Sequence, residues 1–148
     1  MALHVATTSY DKPRSIDYSE GLRYMVPLGR LLFALIYLAA TPVHFSARGV
    51  AYAASQGVPF AAVLVPFAGV IALVGALSVL LGYKARIGAL LLIVFLVPVT
   101  LTMHRFWAVG DAQAAMVQRI MFMKNVSLLG AALLIAHFGA GPISIDRR

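Results

Sequence analysis

The clearest pattern in the chain is where its charges are missing. Asp, Glu, Lys and Arg are absent from 31–47, 49–83, 87–104 and 125–145. A bilayer core about 30 Å thick is crossed by about 20 helical residues. Each stretch therefore holds one spanning helix, and the second is too short to hold two. The expected spans are 26–46, 60–82, 86–104 and 120–138. Between the second and third spans, Gly82-Tyr83-Lys84-Ala85-Arg86 is short enough to force an antiparallel hairpin. Gly82 suits a helix C-cap there, and the two cations suit a helix end. The longer connections are 47–59 and 105–119. The economical arrangement is all-α, a closed up-down bundle of four transmembrane helices. Residues 26–148 form one membrane domain and 1–25 a polar N-terminal tail.

Composition agrees with lipid as the main solvent. The chain has 148 residues, 61% hydrophobic and 11% charged, with mean hydropathy +0.90. Such a sequence has too little polar surface to coat a soluble globule. Cysteine is absent, which removes disulfides, thiol nucleophiles, Cys-ligated zinc and iron–sulfur clusters. A net charge of +7 in a soluble protein would raise nucleic acid as a partner. Here the cations sit in short gaps between apolar runs, so topology accounts for them and no nucleic-acid partner is expected. Lys12, Arg14, Arg23, Lys84, Arg86, Arg147 and Arg148 fall on one side; Arg48, Arg105, Arg119 and Lys124 fall on or near the other. That asymmetry places both termini in the cytoplasm. The tail has neither the apolar core nor the cleavage site of a signal peptide. Its segment 15–24 suits a short surface helix capped by Ser15 or Asp17.

Small residues offer contact ridges within the bundle. Ala68, Ala72 and Ala76, with Gly69 and Gly75, mark the second span, and Ser127, Gly130 and Ala131 mark the fourth. Pro42, Pro66 and Pro98 fall at matched depth in three spans. Each frees a carbonyl one turn back, which suggests a local widening towards the outer face.

Titratable groups at membrane depth default to a functional hypothesis. Arg30, one turn into the first span, either snorkels to the headgroups or faces the bundle, bonded to Tyr83 or to an acid of the tail. His137 reads as an interfacial residue. The outer end is richer: His44 closes the first span, His104 closes the third, and Lys124 lies one turn into the fourth, with Trp107 just outside. An imidazole and an ammonium there suit the carbonyl oxygens of a quinone, which become anionic on reduction. Bis-histidine haem ligation by His44 and His104 is the weaker alternative, because both lie at helix ends. No metal site and no intrinsic cofactor are expected. Transport is disfavoured because no Asp or Glu lies in any span.

Three segments resemble the DoxX family of small four-helix integral membrane proteins. They are Leu28-Gly29-Arg30 through Val43-His44-Phe45, Leu80-Leu81-Gly82-Tyr83-Lys84-Ala85-Arg86 with Met103-His104-Arg105-Phe106-Trp107, and Lys124-Asn125-Val126-Ser127 with Gly139-Ala140-Gly141-Pro142-Ile143-Ser144-Ile145-Asp146. The resemblance implies a membrane subunit of a redox, quinone-linked assembly, serving as an anchor and contributing part of a quinone site. His44, His104, Trp107, Lys124 and Asn125 would bind the cofactor and Arg30 would be an intramembrane charge. Other redox subunits would then be its partners in a bacterial inner membrane, with a homo-oligomer as a further option. The competing reading is a non-enzymatic accessory or structural membrane protein with no ligand of its own. Two departures from the DoxX pattern stand out: Thr41-Pro42 replaces Ser-Gly, and Ile71-Ala72-Leu73 replaces a segment with a Glu. Whether the chain is itself an enzyme stays open.

Overall fold

A computed structural model describes residues 22–146. The tail helix expected at 15–24 falls largely outside that range. Within it lie five α-helices: α1 Met25–His44, α2 Ala47–Ser55, α3 Ala61–Leu81, α4 Ala85–Met103 and α5 Ala112–Phe138. Two 3-10 turns, Leu22–Tyr24 and Phe106–Ala108, precede α1 and join α4 to α5. The described residues form no strand. Four of the helices are long and apolar enough to cross a membrane. Their ends match the expected spans within two residues, except at the start of α5.

Both departures have local causes. The connection after α1 contains α2, nine residues rich in alanine. Its N-cap, Ser46, accepts from the Gly49 N–H at 3.0 Å, and Gly49 and Ala53 are buried one turn apart. This short helix packs on α3. At α5, the Asp111 carboxylate accepts from the Ala114 N–H at 2.7 Å and starts the helix eight residues before its apolar stretch. A carboxylate at that position satisfies an orphan donor and complements the helix dipole.

Packing runs in chain order, α1 on α3, α3 on α4 and α4 on α5, with no comparable seam between α1 and α5. The bundle is thus open on one side rather than closed as expected. Phe33, Tyr37, Ala72, Ala76, Val79, Leu92, Phe95 and Ala132 lie in its core. Across the core Tyr37 of α1 meets Phe95 of α4 edge-on at 6.2 Å. The tightest helix pair is α3–α4. A Cβ added to Gly75 would lie 2.9 Å from the Gly88 carbonyl oxygen, and one added to Gly88 would lie 2.9 Å from that of Gly75. Lipid tails are as apolar as leucine, so such close backbone contact is what drives membrane helices together.

The expected ridge on α3 is buried at Gly69, Ala72, Gly75 and Ala76. The ridge on α5 divides: Ala131 packs against the core, whereas Ser127 and Gly130 face outward, and nothing lies within 4 Å of where a Gly130 side chain would begin. Pro42, Pro66 and Pro98 lie inside continuous helices at one end of the bundle.

Candidate functional site

At the end formed by the C-terminal turns of α1 and α4, the five expected cofactor residues take separate places. His44 Nδ1 lies 3.1 Å from the Ala40 carbonyl oxygen of its own helix, and its ring packs on Phe95 at 5.5 Å. His104 Nδ1 lies 2.8 Å from Gln118 Oε1 and so ties the end of α4 to α5. Trp107 meets Phe106 at 5.0 Å and Phe122 at 5.8 Å, both edge-on. Lys124 is exposed, its Nζ 3.5 Å from Met121 Sδ. Asn125 is buried on the helix that packs against α4. No group of three His, Cys, Asp or Glu among the described residues is placed to hold a metal ion.

The opposite end is more closely built. Arg30 of α1 is only 4% exposed, so it faces inward rather than snorkelling. Its Nη2 donates to the Ile143 carbonyl at 2.5 Å, not to Tyr83. Its Nε and Nη1 have no partner among the described residues. The segment that accepts it, 139–146, folds back over the α3–α4 turn. The Ile145 N–H donates to the Leu81 carbonyl at 3.2 Å and the Asp146 N–H to that of Gly82 at 2.9 Å. In return the Asp146 carboxylate accepts from the Lys84 N–H, a favourable place for an anion at the start of α4. Ser144 Oγ bonds the Gly141 and Asp146 carbonyls at 3.0 and 2.9 Å, and Ser78 Oγ that of Tyr83 at 2.6 Å.

Together these contacts form a clamp joining α1, the α3–α4 turn and the segment after α5. Gly82 sits at its centre, left-handed at φ +64° as the C-cap of α3. The site where its Cβ would be lies 2.5 Å from Ser144 Cβ and against Arg30 Nη1. Gly82→Ala is expected to destabilise the protein by about 2 kcal/mol, from left-handed backbone strain and the displaced arginine. Thermal unfolding of the detergent-solubilised protein measures it; an unchanged midpoint would refute the clamp.

Two grooves open at this end. One, of about 890 Å³, is lined by Leu81 and 141–146. The other, of about 880 Å³, is lined by residues that include Lys84, Arg86, Phe138 and Ile145. Neither is lined by Pro42, Pro66 or Pro98. The clamp had a sequence signal, Gly139-x-Gly-Pro-x-Ser-x-Asp, but nothing local to that motif names Arg30 as its partner.

Residues 6–148 match the SURF4 family. Inner membrane protein YphA of Escherichia coli is 33% identical over 138 residues, 91% of this chain and 97% of its own length. ER-derived vesicles protein ERV29 of Saccharomyces cerevisiae is 24% identical over 132 residues, 89% of this chain but 35% of its own length. The chain thus spans about a third of that yeast relative. Inner membrane protein YqjF of Escherichia coli is 33% identical over 96 residues, 65% of this chain and 68% of its own length. No solved structure matches. The family match corrects the DoxX resemblance, and the family ground for a redox assembly goes with it. The resemblance rested on His104–Trp107, Lys124-Asn125 and the 139–146 motif together, and of these the structure employs the last, with Arg30, to close one end of the bundle. Closing the end of a helical bundle is a packing demand that more than one family of membrane proteins can share.

Proposed function

The chain belongs to the SURF4 family, and from that premise we propose that this multi-pass membrane protein is a non-catalytic accessory protein that associates laterally with another membrane protein through α5. The supporting observation is the uncovered face of that helix. Of its 27 residues only Asn125 and Ala132 are buried, and α1 does not close over it. Lys124 is exposed there, 14 residues before the end of the helix, or about 21 Å along it at 1.5 Å per residue. Ser127 and Gly130 follow at one-turn intervals, small enough for a neighbouring backbone to approach.

An ammonium at that depth favours a neighbour with a carboxylate or free carbonyls. A second copy of this chain supplies no acid at that depth, because none of its spans contains Asp or Glu. A carboxylate facing Lys124 therefore has to come from a different membrane protein, and that is the partner proposed. The names YphA and ERV29 place those relatives in a membrane and in vesicles; neither names a reaction.

A photo-crosslinking residue at position 127 or 130, activated in native membranes, tests the reading. The expected product is an adduct with one distinct protein, reduced about fivefold by Lys124→Leu. The same probe at Leu101, exposed on α4, should give lipid adducts only. Lipid adducts alone at all three positions would sink the proposal, and adducts with a second copy of the chain would sink the heteromeric assignment.

A further inference from the structure

We infer that the groove between the α3–α4 turn and the end of α5 binds an anionic phospholipid, with its phosphate on Lys84 and Arg86 and the start of an acyl chain against Phe138, Ile87 and Ile145. The argument begins with depth. α4 starts at Ala85 and α5 ends at Phe138, so the groove lies where two membrane helices emerge, at headgroup level. Lys84 and Arg86 flank the start of α4 and are both exposed. The Arg86 guanidinium lies over Gly139, its Nε 3.2 Å from where a side chain at that position would begin. Glycine there leaves the guanidinium open to the groove. Lys84 Nζ lies 5.5 Å from the Tyr83 ring centroid.

One acid shares the groove, Asp146. Its carboxylate accepts from the Lys84 N–H and is directed into the α4 N-terminus, which offsets its repulsion of an anion.

The walls decide the class of ligand. Phe138 is 72% exposed and Ile145 59%, and with Ile87 they make an apolar flank beside two cations. A free phosphate has no use for such a flank, whereas a phospholipid presents an anion and a hydrocarbon chain at this spacing. The volume, about 880 Å³, falls within the range of small-molecule sites. The distribution of cations also assigns this end to the cytoplasmic side, where anionic lipids attract basic segments.

Native mass spectrometry of the detergent-purified protein, titrated with phosphatidylglycerol and with phosphatidylcholine, tests the assignment. The expected result is selective retention of phosphatidylglycerol, lowered about tenfold in K84Q/R86Q with helicity unchanged. Retention should also fall steeply with added salt in the unaltered protein, a readout that does not depend on the variant folding. F138A should weaken phosphatidylglycerol retention while leaving competition by inorganic phosphate unaltered. Equal retention of the two lipids, or no response to salt or to K84Q/R86Q, overturns the inference. Displacement of the lipid by inorganic phosphate with no effect of F138A overturns the lipid assignment and leaves a free-phosphate site.

Discussion

Gly88→Val should be the most damaging single substitution in the spanning region, lowering stability by about 4 kcal/mol. The first atom of any side chain at position 88 would lie 2.6 Å from Ser78 Cβ and 2.9 Å from the Gly75 carbonyl oxygen. One of these neighbours is backbone, so no rotamer change relieves the contact and α4 must move away from α3. That movement would also loosen Leu92, which is fully buried one turn further along α4. Gly130→Val is the control. It places the same side chain on a spanning helix where nothing lies within 4 Å, and should shift the midpoint little. Thermal melts of both variants in one detergent read the difference. Similar midpoints would mean that α3 and α4 are not as close as described.

The second large effect concerns Arg30. Arg30→Ala should cost about 3 kcal/mol, because it leaves a void beneath the clamp and removes the donor that ties Ile143 to α1. Arg30→Met should cost far less, within about 1 kcal/mol. Methionine fills most of the same volume, and two of the three guanidinium nitrogens have no partner among the described residues. Replacing a buried, incompletely paired charge by an apolar side chain of similar size is often neutral. Chemical-denaturation midpoints of the two variants decide between these outcomes. Equal losses would show that the guanidinium, through its charge or its bond to Ile143, and not the bulk of the side chain, holds the end of the bundle together.

Much of the fold was legible because lipid imposes a simple rule. Charge-free runs near 20 residues become helices, and three of the four lay within two residues of their expected ends. The fourth began at Ala112 because a single Asp111 carboxylate caps it; polar Gln113, Gln118 and Arg119 in its first turns carry no lipid signal. α2 escaped the same rule, being too short to span and too rich in alanine to show a contrast between faces. Small-residue spacing showed that a helix can be approached closely, but not by what. The α3 ridge is filled by the bundle while Ser127 and Gly130 of α5 stand open. The site was the least legible part. That His44 and His104 close helices at the same end was readable from topology, whereas the partners of their side chains were not. His44 turns to its own backbone and His104 to Gln118. The Arg30–Ile143 bond joins residues 113 positions apart, and no local pattern encodes such a pairing.

The order of packing also bears on how the protein is made. Each long helix rests on the one before it, so a nascent chain can place α3 on α1, α4 on α3 and α5 on α4 as each leaves the ribosome, without waiting for a distant segment. The clamp is the exception. Arg30 enters the membrane early, yet its acceptor at Ile143 is synthesised after all five described helices. Until then the guanidinium lacks its one acceptor among the described residues. Closure of 139–146 over the α3–α4 turn is thereby a late step of assembly, which joins the first spanning helix to a segment made after the last of the described ones.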